Sequence, residues 1–218
     1  HPMKLHTFPG APNPLRVDLL IAEKGIAIET VKVDLLAKEQ LTPEYQKKNP
    51  ACDVPMLELD DGTCISQVPA IMVYLEQRFP APALYGDSPE AMAVVMMWEH
   101  LMSNNGMGAV NEVLRNTSKG MAGRALTGSH GYEQIPALAE RGRLRTRHFF
   151  ADLNERLTAS EYVAGDFFSV ADITAWVSVN FGRWVKELPG EEHQALLAWY
   201  QKLQQRAAFQ TVLAANKK

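Results

Sequence analysis

The chain has 218 residues, is 46% hydrophobic, and carries a formal net charge of −3 and two cysteines. That length suits one large or two small domains with a packed core; the charge leaves no electrostatic footprint for nucleic acid, and Cys52 and Cys64 are too few for a disulfide framework. No apolar run approaches the roughly 18 residues needed to span a bilayer and no charged, apolar leader precedes Met3, so a reducing cytoplasm is expected, without membrane or nucleic acid as partner, and His1-Pro2 reads as an addition ahead of Met3.

The first strand signal runs from Lys4 to Phe8 and stops at Pro9-Gly10-Ala11-Pro12-Asn13-Pro14. Leu15, Leu19, Leu20 and Ile21 then keep helical spacing as far as Gly25, a helix stop. Ile28 to Val33 alternates as a second strand, Pro43 to Lys48 is a short helix, and two strands flank the turn Asp60-Asp61-Gly62. Ala70 to Arg78 closes the unit as a helix. The order β-α-β-α-β-β-α is that of a thioredoxin-like domain, with Val54-Pro55 at the mouth of its third strand. Proline cannot donate to a sheet ladder, so Pro55 belongs at a strand's first position or an edge.

Residues 80–89 are rich in proline, and beyond them only helical patterns follow, over 91–115, 134–157, 170–181 and 193–206. The expected organisation is therefore an α/β domain over 3–80, a linker over 81–89 and an all-α domain over 90–218. Ser169 followed by Asp172, ahead of Ile173, Ala175 and Trp176, has the form of a helix capping box. Its role is structural, and Asp172 is a poor candidate for a catalytic acid.

The segment Asn49-Pro50-Ala51-Cys52-Asp53-Val54-Pro55-Met56-Leu57-Glu58-Leu59, with Asp60-Asp61-Gly62 and Ala70-Ile71 after it, resembles the glutathione-binding half of the glutathione S-transferase family. Gly165-Asp166-Phe167-Phe168-Ser169-Val170-Ala171-Asp172-Ile173 resembles the start of that family's buried C-terminal helix. The resemblance covers nearly the whole chain from Met3. It implies an N-terminal thioredoxin-like domain and a C-terminal helical bundle domain, a cis Val54-Pro55 bond, a homodimer, glutathione as cosubstrate, and a small-molecule electrophile or disulfide as the second reactant.

Glutathione chemistry needs a thiolate, and a free thiol with a pKa of about 8.5 is mostly protonated at neutral pH. A hydrogen-bond donor and the positive end of a helix lower that value. In the tyrosine classes the donor follows the first strand, where this chain has Thr7; in the serine and cysteine classes it precedes the first helix, where this chain has Ala11-Pro12-Asn13. One bacterial subgroup carries Thr-Pro-Asn there, which makes Asn13 the candidate donor; a turn-forming or N-cap role for Asn13 beside Pro14 is the alternative.

For the peptide itself, the resemblance points to the backbone beside Val54 and Pro55, and to Gln67 and Val68 where the family has Glu-Ser or Gln-Ser before Ala70-Ile71. Val68 keeps a backbone N–H but no hydroxyl, which Ser66 could supply. Gln40 and Asp53 fall where other members place side chains near the glycyl carboxylate, a group that Asp53 would repel. Cys52 is either an inert thiol or one able to form a mixed disulfide, and Cys64 reads as core. The histidines lack paired ligand spacing, so no metal is expected. Arg141, Arg143, Arg145 and Arg147 read as a solvated helix with some dimer or ion-pair contacts; Met96, Met97, Trp98, Met102 and Met107 read as helix packing or as the lining of an acceptor pocket. Ala11, Asp53 and Val68 favour a second functional class, a non-catalytic binding or regulatory protein on the same fold.

Overall fold

Strand β1 (Lys4–Thr7) lies inside a four-stranded sheet of order β2-β1-β3-β4, in a computed structural model that describes residues 3–217 and so leaves His1-Pro2 and Lys218 outside. β1 runs parallel to β2 (Glu29–Lys32) and antiparallel to β3 (Met56–Glu58), which pairs antiparallel with β4 (Cys64–Ser66). His6 opposes Met56, and Glu58 opposes Cys64. Because side chains alternate along a strand, these four share one face, while Leu5, Leu57 and Ile65 line the other. The short helix α2 (Pro43–Lys48) covers the first face, where Tyr45 packs with Val33, Val54 and Met56.

Helix α1 (Pro12–Lys24) starts on a proline whose missing N–H would be unpaired there anyway. It ends at Gly25, whose φ of +65° lets the N–H turn back to Ala22. α1 packs against α3 (Val68–Arg78). The Lys24 ammonium is enclosed there, donating to the carbonyls of Phe79 and Pro82 and pairing with Glu76. α3 begins two residues ahead of the expected Ala70, because Pro69 fits the first turn of a helix as Pro12 does.

By packing, the chain divides into two units: residues up to Pro82 with Leu126–Tyr132 and the residues from Thr211, and Ala83–Ala125 with Glu133–Gln210. In the second unit the pattern over 91–115 resolves into α4 (Pro89–Met102), a π-turn at Ser103–Met107 and α5 (Gly108–Thr117). α6 (Pro136–Ala159) begins after Gln134, whose amide is tied to the carbonyls of Arg115 and Ser118. α7 (Val170–Gly182) is buried on nearly every side. The pattern over 193–206 ends earlier than expected: α8 (Gln194–Gln204) is followed, after a turn, by α9 (Ala207–Ala215).

Close backbone approach holds these helices together. A Cβ on Gly142 of α6 would lie 3.0 Å from the carbonyl oxygen of Ala109 in α5. The four arginines of α6 also sort into two pairs at helical spacing: Arg141 and Arg145 bind Glu112, while Arg143 and Arg147 bind Glu187. Of the methionine-rich stretch, Met102 and Met107 are buried, Met96 and Met97 are exposed, and Trp98 lies under the Arg156 guanidinium.

The capping box of α7 is complete. Asp172 accepts from the backbone N–H groups of Ser169 and Val163 and from the Trp199 indole, at 3.0, 3.0 and 2.9 Å. Among the described residues, no helix is long and apolar enough to cross a membrane, and no cluster of three His, Cys, Asp or Glu side chains could hold a metal ion.

Candidate functional site

Where β3 opens, the chain presents an unpaired peptide edge. The Val54–Pro55 bond is cis, and strand pairing begins only at Met56. Among the described residues no hydrogen bond uses the Val54 N–H or C=O. Backbone groups of this kind are nearly always paired in folded proteins, so an extended peptide can add itself here as another strand would.

The loop before Val54 is held from α2 and its cap. The Tyr45 hydroxyl donates to the Asp53 carbonyl at 2.6 Å. Asn49, fully buried, donates its amide to the Asp53 carbonyl and to Oδ1, at 2.9 and 2.8 Å, and accepts from the Ala51 N–H. Burial pushes the Tyr45 phenol up to about 12, so it stays a donor across the neutral range. Cys52 and Gln67, on either side of this strand pair, have φ of +55° and +75°. Left-handed conformations at residues other than glycine cost about 1–3 kcal/mol each and concentrate at functional sites.

The structure brings Asp53 and Gln67 together: the Gln67 amide nitrogen donates to Asp53 Oδ2 at 3.0 Å and lies 3.4 Å from Ser66 Oγ. Gln67 is the N-cap residue of α3 but does not cap it with its side chain. The N–H groups of Val68 and Ala70 are therefore left without a side-chain cap, with Pro69 between them supplying none.

At the start of α1 the N-cap residue is Ala11, which has no side-chain oxygen, and Asn13 is the second helical residue. The N-cap alternative for Asn13 is thus corrected: Pro12 and Pro14 hold the first turn in helical φ around it. Asn13 is exposed, and its Oδ1 accepts from Arg16 Nη1 at 3.0 Å. With the oxygen engaged by a guanidinium that is itself 3% exposed, the amide turns its NH2 away as a free donor.

Two candidates are sealed. Thr7 is 4% exposed, and its hydroxyl is covered and has no hydrogen-bond partner; a covered hydroxyl cannot meet a sulfur arriving from solvent. Gln40 is 6% exposed and its Oε1 is likewise unpaired. Burial, aided by the charge of Asp53, pushes the Cys52 thiol up, and burial with Glu58 does the same to Cys64, which disfavours the nucleophilic thiolate at both. Arg16 and Tyr45 carry no sequence motif, and Asn49 opens the Asn49–Leu59 segment without a role assigned to it there; the only signal for Arg16 is its position three residues after Asn13, one helical turn away.

The family model described as "Glutathione S-transferase, N-terminal domain" matches residues 1–77, and that described as "Glutathione S-transferase, C-terminal domain" matches residues 123–207. The chain is 32% identical to Glutathione S-transferase 2 of Saccharomyces cerevisiae over 99% of its own length and 91% of that protein. Among solved structures, a glutathione S-transferase domain-containing protein of Marinobacter aquaeolei superposes with a TM-score of 0.87 at 36% identity, covering 94% of this chain and 99% of that one. Gtt2 of S. cerevisiae superposes with a TM-score of 0.86 at 30% identity, covering 96% and 99%.

Proposed function

Because the chain belongs to the glutathione S-transferase family, we propose that it binds glutathione along Val54 and uses the peptide's thiol against an electrophile, a disulfide or a peroxide. The unpaired N–H and C=O of Val54 carry this reading. They suit the cysteinyl backbone of an extended peptide. The uncapped N–H groups of Val68 and Ala70, at the positive end of α3, suit its γ-glutamyl carboxylate.

Asn13 is the thiolate donor in this proposal. Its NH2 group is directed outward by the Arg16 bond, and the first turn of α1 adds a positive dipole end. A neutral amide lowers a thiol pKa less than a charged donor does, so the lowering is modest and turnover is low. The working form is a homodimer in the cytoplasm, and the exposed apolar side chains Met92, Val94, Met96 and Met97 of α4 support a second copy as partner. A second reading is favoured by Ala11 and Thr7: with no hydroxyl at the N-cap and the other one sealed, the protein would bind glutathione or a related peptide without turning it over.

Reduced glutathione at 100 times its dissociation constant stabilises the folded chain by about 2.7 kcal/mol and raises the thermal midpoint by roughly 5–10 °C. Differential scanning fluorimetry with millimolar reduced and oxidised glutathione reads this directly, and no shift with either rejects glutathione as the ligand. Asn13→Ala is expected to raise the bound thiol's pKa by about one unit and lower turnover about tenfold, with glutathione affinity unchanged within about threefold. Thiolate absorbance titrated with pH checks it. Binding with no turnover in the wild type selects the second reading.

A further inference from the structure

The glutathione reading leaves one charge unexplained. Asp53 is half-buried, and both its carboxylate oxygens are held by neutral donors, the amides of Asn49 and Gln67. Among the described residues no lysine, arginine or histidine pairs with it. Two uncharged amides hold this carboxylate in place but bring no positive charge to it, and a carboxylate partly withdrawn from water calls for a cation.

Its neighbours say which cation. Through Gln67, Asp53 is tied to the N-terminus of α3, where the Val68 and Ala70 N–H groups attract an anion. A receptor with an anion-binding helix end on one side and a fixed carboxylate beside it matches a group carrying both charges one carbon apart, the zwitterionic end of an α-amino acid. In glutathione that is the γ-glutamyl end; the glycyl end carries a carboxylate alone. We propose that Asp53 receives the α-amino group of the ligand, an assignment that rests on the glutathione reading and makes Asp53 a specificity-determining residue. The acidic side chain then discriminates for the peptide's amino terminus instead of repelling its carboxyl terminus. Asn49, which holds both the carbonyl and the carboxylate of Asp53, is the residue that positions it.

The test compares glutathione with glutaryl-cysteinyl-glycine, which lacks only the α-amino group, by titration calorimetry. Wild-type protein is expected to bind the deaminated peptide at least about tenfold more weakly, and Asp53→Asn to bring the two affinities within about threefold of each other. The wild-type comparison needs no variant and so survives any loss of folding in Asp53→Asn. Equal wild-type affinities for the two peptides, or full discrimination retained by a folded Asp53→Asn, overturn the assignment while glutathione binding stands. Failure of the wild type to bind glutathione overturns the functional reading and this assignment with it.

Discussion

Replacing Asp172 by alanine is expected to cost about 3 kcal/mol of stability at pH 7. Three N–H donors converge on this one carboxylate, from Ser169, Val163 and Trp199. All three lose their acceptor at once in a site closed to water, and each buried unsatisfied donor costs about 1–3 kcal/mol; the capping contribution alone is about 1 kcal/mol. The pH dependence has a definite sign. Burial outweighs the three donors and lifts the carboxyl from 3.8 to about 6. The folded state therefore holds a proton that the unfolded state releases between those values. The stability this provides is fully present below about pH 4 and is lost as pH rises through 6. Asp18, also lifted to about 6 by burial, acts in the same sense, so only the difference between wild type and variant isolates Asp172. That difference widens by about 1 kcal/mol between pH 7 and pH 5. Urea unfolding followed by tryptophan fluorescence at both pH values measures it. A loss under about 1 kcal/mol, or a gap that narrows toward pH 5, contradicts the account.

Gly106→Ala is the second large effect, and here two forces oppose each other. Alanine is the better helix former by about 1 kcal/mol. Yet a Cβ at position 106 would stand 2.6 Å from Ser178 Cβ and 2.7 Å from Phe149 Cζ. Both neighbours are themselves buried, Ser178 on the enclosed helix α7 and Phe149 on the inner face of α6, and overpacking of a closed core costs about 1–3 kcal/mol. A net loss of about 2 kcal/mol is expected, against a gain if propensity alone mattered. Adding Ser178→Gly removes the Ser178 side of the conflict, leaving that with Phe149, and restores part of the loss; in a denaturation series, strict additivity of the two changes would show that the contact is not the cause.

This glycine also marks where reading the sequence stops. In the first 80 residues Pro9, Pro12, Gly25, Pro43, Pro55 and Gly62 punctuate nearly every element, because their backbone preferences act locally. The capping box at Ser169 and Asp172 is equally local. The π-turn at Ser103–Met107 is not: Asn104, Asn105 and Gly106 are compatible with several backbone paths, and the packing of Gly106 against residues far along the chain selects one. α9 was missed because Gln205 and Arg206 break the helix without a glycine or proline to announce it.

At the candidate site the residue identities were legible and their relations were not. Asn13, Asp53, Gln67 and Val68 stand out by position, but whether Asp53 faces a carboxylate or an amide depends on a bond spanning fourteen residues. Sequence also shows nothing of the cover over Thr7, since burial is decided by elements remote in the chain, and the guanidinium that orients Asn13 is signalled only by its three-residue spacing.

The first unit is assembled from three stretches of chain, its last contribution beginning at Thr211. Its sheet is translated first, yet the unit is complete only once the residues from Thr211 have been added. At about 5–20 residues per second, the interval between Pro82 and Thr211 lasts roughly 6–26 s. For that time the nascent thioredoxin-like half waits with part of its packing surface unfilled. A chain interrupted before Thr211 thus leaves its earliest-made unit without the last of its three stretches.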